Sequence, residues 1–176
     1  KALIALGGTN IRKEQITDIL WPDADGDMAQ QSFSTTIHRL RQLLGEKQSI
    51  LLNEGWLNLN PRFVWVDALC LLRHATRLDK HWPDFPTPET LRDAQSLLDL
   101  YLGPFLQENL DNVWIGTLQD VLQRRCLDLL ERIGKFRERQ GEWKPAIACY
   151  ERAGEIDPLA EALYVYQMEC YTSRGW

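Results

Sequence analysis

The sequence lacks long apolar runs, close cysteine pairs and a secretion signal, and each absence excludes a class of protein. No stretch of the 176 residues approaches the run of about 18 apolar residues that a membrane-spanning helix needs. The four cysteines have no close-pair metal spacing. The apolar part of Lys1–Gly8 is too short for a signal peptide. We therefore expect a cytoplasmic protein with reduced core thiols and without a metal or other cofactor.

The sequence also contains no recognisable catalytic motif. No nucleophile stands in a recognisable pattern with a base, and no metal-binding set of histidines is present. Asp23, Asp25 and Asp27 alternate like the first ligands of a calcium loop. The position where such a loop requires glutamate holds Ser34, however. The sequence therefore predicts a protein that is not an enzyme.

Positive charge is scarce as well. The chain has 20 lysines and arginines against 25 aspartates and glutamates, a net charge of −5. Dedicated nucleic-acid-binding domains are usually basic. The first 67 residues hold seven basic and eight acidic residues, which leaves a net charge of −1. Any binding to DNA must therefore depend on a local surface rather than on a basic domain.

The most informative stretch that is present is residues 31–44, which predict an amphipathic helix. Its apolar positions are spaced by four, three and four residues: Phe33, Ile37, Leu40 and Leu44. The other side carries amide, hydroxyl, imidazole and guanidinium groups and no carboxylate: Gln31, Ser34, Thr35, His38, Arg39, Arg41 and Gln42. Such groups suit a major groove, where base edges and phosphates need partners. The alternative is the solvated face of a structural helix.

The elements around this helix predict a winged helix. A short helix over residues 13–20 is stopped by Pro22, and Asp27 is the expected cap of a helix over residues 28–44 that ends at Gly45. The apolar runs on either side of Asn53–Gly55 predict a β-hairpin. A further short strand is expected at Phe63–Val66. A helix-turn-helix followed by a hairpin is the winged-helix layout.

From about residue 68 onwards the pattern is entirely α-helical. The predicted helices cover residues 68–80, 89–101, 113–140, 143–155 and 159–172. One helical hairpin has the small, small, aromatic, small and proline positions of a tetratricopeptide repeat: Gly134, Ala146, Tyr150, Ala153 and Pro158. Small residues at these positions let two helices pack closely, and the aromatic ring fills the groove between them.

Several short motifs together carry a family resemblance. They are Leu20–Asp23, Gly26-Asp27, Arg39–Gly45, Gly55-Trp56, Val64–Asp67, Tyr101–Leu106 and Asp157–Glu161. With them the chain resembles bacterial transcriptional activators of the antibiotic-regulatory type. The resemblance implies a mainly α fold, with a partial winged helix of the OmpR/PhoB kind over residues 1–67 whose amino-terminal part is missing. It also implies a tetratricopeptide-like bacterial transcriptional activation domain over residues 68–176 that is cut at its carboxyl end.

The resemblance also implies DNA-contacting positions. In OmpR/PhoB-like proteins the long helix enters the major groove, and the matching positions here are Gln31, Ser32, Thr35, His38, Arg39 and Arg41. The resemblance implies that Ser32 holds a phosphate and that Arg39 contacts guanine or a phosphate. That family often places arginine at the hairpin tip. Here residues 52–55 contain no cation and one carboxylate.

The expected function is that of a sequence-specific DNA-binding transcription regulator, and we expect an activator. Its partner is double-stranded DNA, with a second copy of the chain and RNA polymerase as further open candidates and no membrane. The helical part would serve self-association or signal relay. The abrupt start at Lys1 indicates a piece of a longer protein, for which an upstream regulatory domain is an open candidate. The alternative function is a protein-interaction scaffold with a degenerate winged helix, which the negative charge favours.

Overall fold

The computed structural model describes residues 1–107 and 113–173. Within them the chain is mainly helical with one small sheet, which confirms the predicted fold class. The helices are α1 Ala2–Ala5, α2 Lys13–Leu20, α3 Gly26–Leu43, α4 Asp67–His81, α5 Pro88–Asp99, α6 Val113–Arg139, α7 Trp143–Ile156 and α8 Glu161–Ser173. The strands are β1 Ile11–Arg12, β2 Ile50–Asn53 and β3 Trp56–Leu59.

The chain divides into two compact units. The first unit comprises Lys1–Leu69 together with residues 113–118. The second comprises Cys70–Gln107 together with residues 119–173.

The sheet of the first unit is antiparallel and has the order β1-β3-β2. Its third strand is β1, which the sequence did not predict, and not Phe63–Val66, where the prediction of a strand is wrong. The amides of Phe63 and Val64 instead donate to the Asn60 carbonyl at 3.0 and 2.9 Å, which closes a turn. Both edges of β3 are already occupied by β1 and β2, so β3 has no free edge for a further strand.

The predicted hairpin is confirmed, and its turn consists of two residues. Glu54 and Gly55 have φ angles of +49° and +83°, the left-handed pair that a tight hairpin turn requires. Gly55 adopts this conformation without steric cost, whereas Glu54 does so under strain. The register pairs Asn53 with Trp56 and Ile50 with Leu59.

Helix α3 begins two residues earlier than the sequence predicted. Its cap is Asp25 and not Asp27, because the Asp25 carboxylate accepts the Met28 amide at 2.9 Å. Asp27 lies in the first turn, where its charge favours the helix dipole. The apolar stripe is also shorter than predicted. Leu44 is the carboxyl cap of the helix and is 45% exposed.

Burial of apolar side chains holds the first unit together. Phe33 and Ile37 of α3 are buried against residues of α1, α2 and the sheet, and Leu40 is partly buried. The core of this unit is formed by Ala2, Leu3, Ile11, Ile16, Phe33, Ile37, Ile50 and Leu57. Truncating a buried phenylalanine costs about 3–5 kcal/mol, so Phe33 contributes strongly to fixing which side of α3 faces inward.

Close helix packing characterises the second unit. A Cβ atom at Gly134 would lie 2.6 Å from the Tyr150 ring, so α6 and α7 approach each other as the sequence pattern predicts. Ala146 and Ala153 are fully buried, and the Tyr150 hydroxyl donates to Glu138 Oε1 at 2.6 Å. The assignment of this hairpin to a tetratricopeptide repeat stays a prediction.

Candidate nucleic-acid interface

One face of α3 presents a row of polar side chains with no partner in the described part of the chain. Gln31, Thr35, His38 and Gln42 follow one another at spacings of four, three and four residues, and all four are exposed. Phe33 and Ile37 occupy the opposite side of the same helix. The burial of those two side chains therefore turns the polar row outward.

Arg39 lies on one flank of this row and is also exposed. Among the described residues its guanidinium forms no ion pair and no hydrogen bond. No carboxylate occurs between Gln31 and Leu44 to neutralise it. Arg39 is therefore available to an external anion or to a base edge.

The two serines predicted for the interface are placed differently. Ser34 is exposed, and its hydroxyl donates to the Gln30 carbonyl one turn earlier at 2.9 Å. Its oxygen can still accept a hydrogen bond. Ser32 is half-buried. The structure thus brings Ser34 to the edge of the exposed row and leaves Ser32 between that row and the core.

Arg41 is turned towards the protein itself. Its Nε and Nη2 atoms donate to the Ile50 carbonyl at 3.0 and 2.6 Å, and the side chain is half-buried. Because β2 is an edge strand of the sheet, this carbonyl has a side open to a side-chain donor. The bond ties α3 to the hairpin, and it distinguishes Arg41 from Arg39 although the two lie only two positions apart.

Two cations that the sequence did not single out lie at the start of helix α2, one in contact with α3 and one in contact with the hairpin. Lys13 donates to Gln30 Oε1 on α3. The Arg12 guanidinium lies over the Trp56 ring, 5.0 Å from its centroid. The alternation of buried Ile11 and exposed Arg12 was the available signal, but a strand of two residues is too short to be recognised from its pattern.

The thiols and acidic groups offer little for other chemistry. All four cysteines are free. Burial raises the pKa of the Cys126 thiol to about 12, so it is protonated and unreactive near neutral pH. In the described ranges no three histidine, cysteine, aspartate or glutamate side chains converge as metal ligands do. None of the described helices is long and apolar enough to cross a bilayer.

A comparison with known families identifies the helical part. The model of the bacterial transcriptional activator domain matches residues 66–176. This match covers more than half of the chain, and the chain belongs to that family. No curated protein and no solved structure matches the chain.

Family membership confirms the predicted activation domain and a role in transcription regulation. The family is one of regulators and not of enzymes. Residues 1–65 lie outside the match, so the winged helix and its DNA contacts stay predictions.

Proposed function

We propose that this protein is a sequence-specific DNA-binding activator of transcription that acts in the cytoplasm. In this proposal residues 1–67 are a winged helix and α3 is its recognition helix. The family supports the regulatory role, and the exposed face of α3 supports duplex DNA as the ligand. Residues 68–176 then form the activation domain, which mediates self-association or relays a signal.

The observation that carries the proposal is the unpartnered row on α3. Gln31 and Gln42 are 11 residues apart, so the row is about 17 Å long at 1.5 Å per residue. That is enough to lie across a major groove, which is about 12 Å wide. Amide side chains pair with adenine, and imidazole and hydroxyl groups serve base edges or phosphates.

Arg39 supplies the charge in this arrangement. A guanidinium on the flank of a groove-binding helix can fork onto the O6 and N7 atoms of guanine or clamp a phosphate. A phosphate contact contributes to the salt dependence of binding, whereas the amides of the row do not.

The test is the salt dependence of binding to the protein's own promoter, measured by fluorescence anisotropy. We expect Arg39→Ala to lower affinity. If Arg39 holds a phosphate, the plot of log K against log salt should also become less steep, with a slope smaller in magnitude by about one. A matched control is Arg77→Ala, which removes an exposed arginine from helix α4 and should leave both quantities unchanged. A duplex of scrambled sequence measures specificity.

The scaffold alternative makes the opposite prediction. The exposed apolar side chains Tyr164, Val165 and Met168 of α8 are the observation in its favour. If the wild-type protein retains no duplex at low salt and yet binds a protein partner through residues 68–176, the DNA-binding proposal is wrong and the scaffold reading replaces it.

A further inference from the structure

We propose that Arg12, held on the Trp56 ring beside the hairpin turn, is a phosphate-binding residue of the same interface. This inference rests on the proposed function, because its ligand is the backbone of the duplex that α3 would read. It adds a contact that lies outside α3 and outside the hairpin itself.

The sheet register places Arg12 at the hairpin turn. Arg12 on β1 is directly opposite Trp56, the first residue of β3 after the turn. The neighbouring Lys13 amide donates to the Gly55 carbonyl at 2.8 Å. The turn contains no cation of its own, and its one charged residue is Glu54. Strand β1 therefore brings positive charge to a turn whose own sequence is acidic.

The contact with the Trp56 ring leaves guanidinium donors for an anion. Its centre lies 5.0 Å from the Trp56 ring centroid, and both side chains are exposed. A guanidinium carries five N–H donors, more than one contact with a ring can occupy, so donors remain available to phosphate oxygens. No ion pair within the described residues joins Arg12 to a carboxylate.

Lys13 connects this site to α3. Its ammonium donates to Gln30 Oε1, and the Gln30 carbonyl accepts the hydroxyl of Ser34 at the edge of the exposed row. Positive charge therefore continues from the hairpin turn to the flank of α3. Arg12 and Lys13 form no ion pair with any described carboxylate, and together with Arg39 they give the first unit cations on both sides of the exposed row.

The test compares Arg12→Gln with the wild type in the promoter-duplex anisotropy titration over a range of salt concentrations. Removing one phosphate contact should reduce the magnitude of the slope of log K against log salt by about 0.9. This change corresponds to roughly an eightfold loss of affinity at 0.1 M salt. Arg12→Lys keeps the charge and should retain most of the slope. It also guards against a fold defect in the glutamine variant.

Arg62→Gln is the matched control. Arg62 is also exposed and also lies over an aromatic ring, 6.0 Å from the Phe63 centroid, but it follows β3 at the end of the hairpin away from the turn. We expect its slope to equal that of the wild type. Glu54→Gln removes the only carboxylate at the turn and should raise affinity.

The outcomes separate the two proposals. An unchanged slope in Arg12→Gln, with binding by the wild type and a lower slope in Arg39→Ala, overturns this inference and leaves the proposed function intact. The inference is also overturned if Arg62→Gln reduces the salt slope as much as Arg12→Gln does, because the effect would then reflect net charge alone. Absence of duplex binding by the wild type would remove both.

Discussion

Arg39 and Arg41 show how two identical side chains, two positions apart on one helix, come to serve different purposes. A shift of two residues rotates a side chain by about 200° around an α-helix, so the two guanidiniums leave α3 on opposite flanks. Arg39 faces solvent, and Arg41 meets the edge strand β2. We infer that Arg41 positions the hairpin and does not itself bind DNA.

This inference gives a prediction for Arg41→Met. The variant keeps the aliphatic bulk but leaves the Ile50 carbonyl without its charged donor. We expect the free energy of unfolding to fall by about 1–2 kcal/mol and the amides of β2 and β3 to exchange faster with solvent. Urea unfolding and hydrogen exchange measure the two effects.

Arg39→Met is the comparison for that experiment, and it should leave stability and hairpin exchange unchanged. The salt slope of duplex binding should stay at the wild-type value in Arg41→Met. A slope lower by about one, with normal stability, would instead mean that Arg41 contacts a phosphate directly.

At the scale of the element, the start of α3 depends on one carboxylate. Asp25 satisfies the Met28 amide, which has no partner within the helix, whereas Asp27 acts only through its charge near the positive end of the helix dipole. Because the polar row begins only six residues after the cap, fraying of this end would reach Gln31.

We therefore expect Asp25→Ala to lower the free energy of unfolding by about 1 kcal/mol. Asp27→Ala should cost about half as much, because it removes a charge–dipole interaction but no hydrogen bond. Thermal unfolding of the two variants under identical conditions shows which aspartate contributes more to the stability of the protein. A larger loss in Asp27→Ala would restore Asp27 as the cap that the sequence suggested.

The elements differ in how far the sequence predicts them. Helix α2 begins and ends at the predicted residues, because Pro22 and the apolar spacing act within a few positions. The hairpin turn is equally local, since its left-handed pair contains a glycine. Strand β1 has no such signal. It becomes a strand only because it pairs with β3, about 45 residues further along the chain.

At the scale of the whole molecule, stability should depend on pH through a buried thiol of the second unit. The pKa of Cys126 is raised by burial to about 12 from an ordinary value of 9.0. Between these values the unfolded chain releases the proton and the folded chain keeps it, so the free energy of unfolding falls as pH rises. Below pH 9 this contribution is fully present.

We expect wild-type protein to lose up to about 2 kcal/mol more stability between pH 9 and pH 10.5 than Cys126→Ala does. Denaturant unfolding at several pH values gives the two slopes. Their difference should vanish between pH 7 and pH 8, where neither state of the wild type ionises at this thiol. Equal slopes above pH 9 would show that Cys126 is not protected from ionisation by burial.

The sequence by itself determined the features that depend on neighbouring residues. These are the helical register, the polar and apolar faces of α3, the tight turn, and the small residues that let α6 and α7 pack closely. Each follows from spacing or from backbone conformation within one element, where the physical causes act over a few positions. The family match then confirmed the activation domain that the motifs over residues 68–176 indicated.

Only the tertiary structure decided which cations face outward. Arg39, Arg41 and Arg12 look alike in the sequence, but the edge carbonyl of Ile50 binds Arg41, and the Trp56 ring supports Arg12. The reason is that a guanidinium binds whatever acceptor or ring the folded chain brings to it. Those partners come from strands that are distant in the sequence, so no local pattern could assign the three arginines.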